Sequence, residues 1–304
     1  MLIDIVIVNY KSDALVHDLV RTIISHDSEF DYNIIVVDNG SLDGSIHTLE
    51  KNENIRLISL ESNRGFSVAC NIGASYGGAE FVLFLNPDCK FHLPVGSDLI
   101  KTISQVKYDE FGIFGIQLLS NDFEVSTSCY RFPSIKSVLS SSLGLGKLLP
   151  KLGLSSAMDD FDHNSDKTVD VVMGAFFLVK KKIFINLNGF DERYFVYFEE
   201  VDFCYRAKLL GYKTAFISNL SVIHLGCGTT KNIKGTRLFY SLRSRIQFFY
   251  KNRSLVVFMM VLLVTSCVEL FSRLFMDILK LSSPKDTLYG YFLYFRWLIT
   301  RGKD

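Results

Sequence analysis

Residues 81–88 read FVLFLNPD. Five apolar residues run without a break into Asn86-Pro87-Asp88. A continuous apolar run closed by a turn former is the pattern of a strand buried on both faces, as in parallel sheets. In open α/β sheets, ligands bind just outside the carboxyl ends of the strands. A carboxylate held there by a rigid proline turn is placed to meet a metal or a phosphate-bearing ligand. On the amino-terminal side, residues 2–8 form a β-branched apolar run and a first strand. Residues 33–37 read as a second strand and residues 55–60 as a third. Between the first two, a helix is expected to bury Leu15, Leu19, Val20 and Ile23.

The polar residues cluster where these strands end. Asn9 and Tyr10 follow the first strand, in a turn that lacks GxGxxG and GxxxxGK[ST], so a nicotinamide site and a P-loop are both excluded there. Asp38 ends the second strand before Asn39-Gly40-Ser41. Its carboxylate either accepts from a base or ribose or caps its own turn. Asn63-Arg64-Gly65 opens a helix that stops at Gly77-Gly78. An Arg beside a Gly at a helix amino end suits a diphosphate, or is a surface Arg on an ordinary helix. Gly174-Ala175 are read inside a strand over 169–179, where small residues permit close approach of a ligand.

Farther on, the aromatic stretch 194–198 leads into Glu199-Glu200-Val201-Asp202. Helical spacing puts Glu199, Asp202 and Arg206 on one face, so Asp202 is expected to pair with Arg206. Glu200 then faces a cleft. A carboxylate among aromatics has a raised pKa and suits a base, although acids in a first turn also complement the helix dipole. His224, after a short strand at 222–223, is either a structural hydrogen-bonder or a further ligand for a metal at Asp88.

The chain has 304 residues, 48% of them hydrophobic, and a formal net charge of +1. That charge conceals a split: residues 1–230 hold 20 Lys/Arg and 28 Asp/Glu, residues 231–304 hold 13 and 4. A basic, apolar tail suits an anionic membrane surface better than nucleic acid. Lys180-Lys181-Lys182 reads as a solvated face. Six cysteines without CxxC spacing, and no signal-peptide pattern after Met1, point to free thiols in a reducing compartment. His224 and Cys227 lack the second pair a zinc site needs. Residues 120–168 read as a variable insertion or loop. Residues 255–268 are apolar but shorter than the ~20 of a spanning helix. With the basic residues before them and the aromatics at 289–297, they read as an element of the membrane interface, a homodimer seam or a buried helix.

The stretches VDNGS, NRGFSVACNIG, FLNPD, GAFFLVKK, GFDERYFVYFEEVDFCYR and VIHLGCGTT, in this order, closely resemble the family 2 glycosyltransferases, in the branch of bacterial rhamnosyltransferases. The resemblance covers roughly residues 3–230. It implies a GT-A fold: α/β, Rossmann-like, with a mostly parallel central sheet, here over residues 1–230, and a helical extension over 231–304. Asn86-Pro87-Asp88 takes the place of the family's DxD motif, so Asp88 becomes the ligand of a divalent cation, Mn²⁺ or Mg²⁺, with His224 as a further contact. Asn9, Tyr10, Asp38, Asn63, Arg64, Gly65, Asn71, Asn86, Gly174 and Ala175 line the nucleotide-sugar site. Glu200 inherits the role of catalytic base, with Asp202 as second choice. The implied reaction is an inverting transfer, best from dTDP-rhamnose, otherwise from a donor such as UDP-Gal or UDP-GlcNAc, onto a lipid-linked saccharide. The implied setting is peripheral, at the cytoplasmic face of the membrane. The alternative from another class is a membrane-bound scaffold with a decayed site.

Overall fold

The computed structural model describes residues 2–26, 31–44, 46–226 and 233–300. Cys227 and the Gly-Thr-Thr after it lie outside these residues. The chain forms two compact units, one made of Met1–Arg131, Phe161–Glu192 and Glu199–Thr229, the other of Phe132–Asp160, Arg193–Phe198 and Thr230–Asp304.

The first unit begins with β1 (Ile3–Asn9), α1 (Asp13–His26), β2 (Tyr32–Asp38), α2 (Ile46–Leu49), β3 (Arg56–Ser59), α3 (Phe66–Tyr76) and β4 (Phe81–Leu85). There follow β5 (Cys89–Lys90), α4 (Gly96–Ile103), β6 (Phe111–Leu119), β7 (Val125–Ser126) and β8 (Cys129–Tyr130). After α5 (Ile135–Ser142) and α6 (Leu145–Leu148) of the second unit, the chain returns through β9 (Lys167–Val169), β10 (Val171–Val172), β11 (Phe176–Lys180), α7 (Lys181–Asn186), α8 (Glu199–Leu209) and β12 (Lys213–His224). The main sheet runs β3-β2-β1-β4-β11-β6-β12-β5. β1 to β4 are mutually parallel, as are β6 and β12, while β11 runs against both its neighbours. The carboxyl ends of β1, β2, β4, β6 and β12 therefore share one edge with the start of β11.

Burial explains the layers. Every residue of β1 and β4 is buried, as a strand covered on both faces must be. On one face, Leu19 and Ile23 of α1 and Leu99 and Ile103 of α4 join Ile5, Ile7 and Leu83 in one apolar cluster. On the other, the ring of Phe84 packs 5.1 Å from Phe184 and 4.8 Å from Phe190, with Phe203 of α8 against both. α1 buries Leu19, Val20 and Ile23 as expected, with Val16 buried and Leu15 only half-buried in its first turn.

Four readings change. Gly174 and Ala175 lie in the turn between β10 and β11, outside any strand. β12 is one strand of 12 residues with a register shift between Ile217 and Ser221; the bulge is tied to the Asp166 carboxylate by the Ser218 amide and hydroxyl. Lys181 is no solvated cation: its ammonium donates to the carbonyls of Ala74 and Gly77, which anchors the end of α3. Residues 120–168 hold short strands and helices, and Phe132–Asp160 belongs to the second unit.

The second unit also holds α9 (Lys234–Asn252) and a continuous helix formed by α10 (Leu255–Leu263), a π-helical turn (Val264–Glu269) and α11 (Leu270–Leu279), followed by α12 (Lys285–Thr300). The apolar run read as 14 residues is thus part of a helix of 25, long and apolar enough to cross a membrane. Glu269 is the reason the run looked short. It is buried within the unit and accepts from Arg245 of α9 at 2.6 Å and from Arg273 at 2.7 Å, so the helix continues through the charge.

Candidate active site

At the shared edge, Asn9 and Asp38 stand opposite each other in register. Asn9 donates to the Asp38 carboxylate at 2.8 Å, and its side-chain oxygen Oδ1 accepts from the amide and hydroxyl of Ser12. The second Asp38 oxygen accepts from the Ser41 amide at 3.1 Å, and the Ser41 hydroxyl donates to the first. Both Asn9 and Asp38 are buried. Asp38 thus caps its own turn and locks the first two loops together. Tyr10, the aromatic of these two loops, is 40% exposed, with the Lys11 ammonium 5.5 Å from its ring centroid.

Asn39, read from sequence only as turn chemistry, proves central. Its amide donates to the side chain of Asn63 and the carbonyl of Gly65, and its oxygen accepts from the Arg64 amide. The Asn63 oxygen also accepts from the Gly65 amide, so the Asn63-Arg64-Gly65 turn is built on Asn39. Gly40 makes this approach possible: its φ is +74°, and a Cβ there would overlap the backbone of Ser62. Gly40→Ala is expected to destabilise the fold by about 2–4 kcal/mol, from left-handed strain plus overpacking. A urea midpoint equal to that of the parent protein would refute this. Asn71, by contrast, is engaged with a distant turn. Its amide donates to the Phe190 carbonyl and its oxygen accepts from the Phe190 amide, both at 2.9 Å. It clamps the Gly189-Phe190 turn.

Asp88 sits in the turn closed by the Cys89 amide on the Asn86 carbonyl. The Asn86 amide donates to Ala175, and the Leu225 amide to the Asp88 carbonyl, so three chain segments hold this corner. β5 pairs with β12 so that Cys89 faces His224, and Nε2 of His224 comes within 3.3 Å of Asp88 Oδ1. A carboxylate oxygen and an imidazole nitrogen converging from fixed backbone fit a divalent cation such as Mn²⁺. Among the described residues, no group of three or more His, Cys, Asp or Glu side chains could hold a metal, so this pair is the part of a cation site that those residues bring together. Beside it, a Cβ on Gly174 would meet no heavy atom within 4 Å.

At the start of α8 the carboxylates separate into two kinds. Asp202 is fully buried and accepts from Arg206 at 2.7 Å; Arg206 also donates to the carbonyls of Leu187 and Gly189. The expected pair exists, and it commits Asp202 to structure. Glu199 and Glu200 each keep one buried oxygen, Oε2, without a hydrogen-bond partner among the described residues. Burial pushes both carboxyls above the usual range, and for Glu199 the neighbouring Glu200 charge adds to it. The Glu200 carboxylate is partly offset by its own amide and that of Val201 at the helix amino terminus. Just before them Tyr197 and Phe198 both have left-handed backbone, φ 67° and 69°, a strained entry for two bulky residues.

Residues 4–114 match the model of the family described as Glycosyl transferase family 2. The low-salt glycan biosynthesis hexosyltransferase Agl10 of Haloferax volcanii is 30% identical over 210 residues, 68% of this chain and 61% of that protein. The N-acetylglucosaminyl-diphospho-decaprenol L-rhamnosyltransferase of Mycobacterium tuberculosis is 26% identical over 205 residues, 63% of this chain and 66% of that protein. This chain thus spans just under two thirds of the length of either relative. Among solved structures, the mannosyltransferase PcManGT from Pyrobaculum calidifontis in complex with GDP-Man and Mn²⁺ superposes with a TM-score of 0.56 at 12% identity, over 99% of this chain and 87% of that one. This likeness shows the GT-A fold.

Proposed function

We propose, for a chain that belongs to the family 2 glycosyltransferases, an inverting transfer of a sugar from a nucleotide-diphosphate donor to a hydroxyl of a lipid-linked saccharide. The observation that carries this is the Asp88–His224 pair at the carboxyl edge of the sheet, beside the open face of Gly174. Its acceptor and its place at a membrane, by our reading the cytoplasmic face, draw on a relative whose name carries a diphospho-decaprenol and on the apolar, basic carboxyl-terminal helices, which support the membrane and not the face. Rhamnose is the best donor sugar, since that relative is named a rhamnosyltransferase.

Asp88 and His224 would hold the divalent cation. When bound, the cation supplies positive charge that neutralises the departing diphosphate. Tyr10 offers an exposed ring for the nucleobase, over a floor fixed by Asn9, Asp38 and Ser41. The Asn63-Arg64-Gly65 turn, braced by Asn39, presents Arg64 toward the diphosphate. Glu200 is the base: its unpartnered oxygen takes the proton of the acceptor hydroxyl as that oxygen bonds to the anomeric carbon and the bond to the diphosphate breaks. Asp202, tied to Arg206, is set aside.

The test is a panel of activated sugars, scored first by melting temperature with Mn²⁺ and then by transfer of labelled sugar. Stabilisation and transfer with one donor, dTDP-rhamnose by expectation, supports the reading. No stabilisation and no transfer with any of them refutes it. Gly174→Val gives a local check. The parent melting temperature should be kept while the KM for donor rises by roughly tenfold or more, the equivalent of losing about 1.4 kcal/mol of binding. An unchanged KM would place the donor elsewhere.

A further inference from the structure

The helix Leu255–Leu279 raises a question that its length alone leaves open. At 1.5 Å per residue it is about 37 Å long, enough to cross a hydrocarbon core of about 30 Å. Its two faces differ sharply. Leu255, Met259, Leu263, Phe271, Phe275 and Leu279 recur at four-residue steps or multiples of them, and each is more than half exposed. The opposite side, Phe258, Val261, Thr265 and Glu269, is buried within the second unit along α10 and the π-helical turn. Glu269 stands two residues past the helix midpoint and carries its ion pairs with Arg245 and Arg273.

We infer that this helix lies in the plane of a lipid bilayer, with its apolar stripe sunk into one leaflet and its charged face held by the protein. A crossing helix would carry Glu269 and Arg273 close to the bilayer midplane, where ionised groups are costly. Lying flat keeps the buried Glu269 on the protein side, lets the exposed Arg273 reach the headgroups and puts the apolar stripe in the acyl boundary. Charge points to the same occupant. The segment from residue 231 onward holds 13 Lys/Arg against 4 Asp/Glu, and Lys280, Lys285 and Arg296 are exposed. These suit anionic headgroups. α12 extends the surface with exposed Leu288, Phe292 and Ile299. This inference rests on the membrane setting proposed above and specifies its geometry.

Cys267 lies exposed near the middle of the helix and serves as a native label site. In full-length protein carrying Cys227→Ser, a nitroxide is placed at Cys267 or, with Cys267→Ser added, at Leu255→Cys or Leu279→Cys. Depth is then read by power saturation on vesicles of phosphatidylglycerol and phosphatidylethanolamine, without any sugar donor. The three positions should share one shallow depth, about 5–10 Å into the leaflet. Phe271→Asp with Phe275→Asp should weaken vesicle binding by at least about tenfold while leaving circular dichroism unchanged. A label at 267 near the midplane, with both ends shallow, would overturn the inference in favour of a crossing helix. Absence of vesicle binding together with a stable dimer in sedimentation would overturn it in favour of a second copy of the chain. Loss of sugar transfer to a soluble acceptor would count against the proposed reaction and leave these depths unaffected.

Discussion

Glu200→Gln is expected to lower kcat by about 10²–10⁴-fold, the range a positioned general base contributes. The substitution is nearly isosteric and keeps the two amides of the first turn of α8 within reach of the side chain, so KM for donor should change little. The pH profile separates this role from a structural one. Burial raises the Glu200 carboxyl, so its proton is lost only above the ordinary carboxylate range. Activity of the parent enzyme should therefore rise with pH through that raised value and fall as pH drops below it. In Glu200→Gln the acid limb should vanish along with most of the rate. If kcat is retained, or if Asp202→Asn rather than Glu200→Gln removes the acid limb without unfolding the protein, the base has been misassigned. Asp202→Asn is expected instead to act on stability, since it weakens the tie to Arg206 and so the Leu187–Gly189 turn.

Asp88→Ala should abolish measurable transfer and remove the heat of Mn²⁺-dependent nucleotide binding in calorimetry. The reasoning is local. Asp88 is mostly buried, its carbonyl is fixed by Leu225, and its carboxylate meets His224 at 3.3 Å. Alanine leaves the turn and the β5–β12 pairing intact, because both are backbone bonds, yet it removes the negative charge that a cation requires. Metal stabilisation of a leaving group is worth several kcal/mol, so a loss of roughly 10³-fold or more is in proportion. His224→Gln should have a smaller effect of the same sign. Full activity of Asp88→Ala in the presence of a chelator would end the metal assignment.

The parallel strands were legible because they are continuous apolar runs, and β1, β2 and β4 stand where those runs predict. The Asp202–Arg206 pair was legible because helical spacing alone brings the two together. What stayed hidden depends on partners far away in the chain. Asn39 looks like any turn residue until residues 63–65 fold onto it. Asn71 gives no sign in its own stretch of Phe190, 119 residues later, which takes both ends of its amide. Glu269 interrupts an apolar run on paper, and only the approach of Arg245 from α9 shows that the helix can carry it. In each case local pattern fixed the residue's position, and a long-range hydrogen bond decided its role.

His224 is the final residue of β12, and its partner Asp88 lies 136 positions earlier, just ahead of a strand of two residues that pairs with β12. During synthesis the early strands can assemble well before this closing one emerges from the ribosome. The Asp88–His224 pair therefore forms only once residue 224 has been made, and a metal that needs both side chains could not assist the nascent chain through its first steps. A premature stop anywhere before codon 224 should leave a fragment that added Mn²⁺ cannot stabilise.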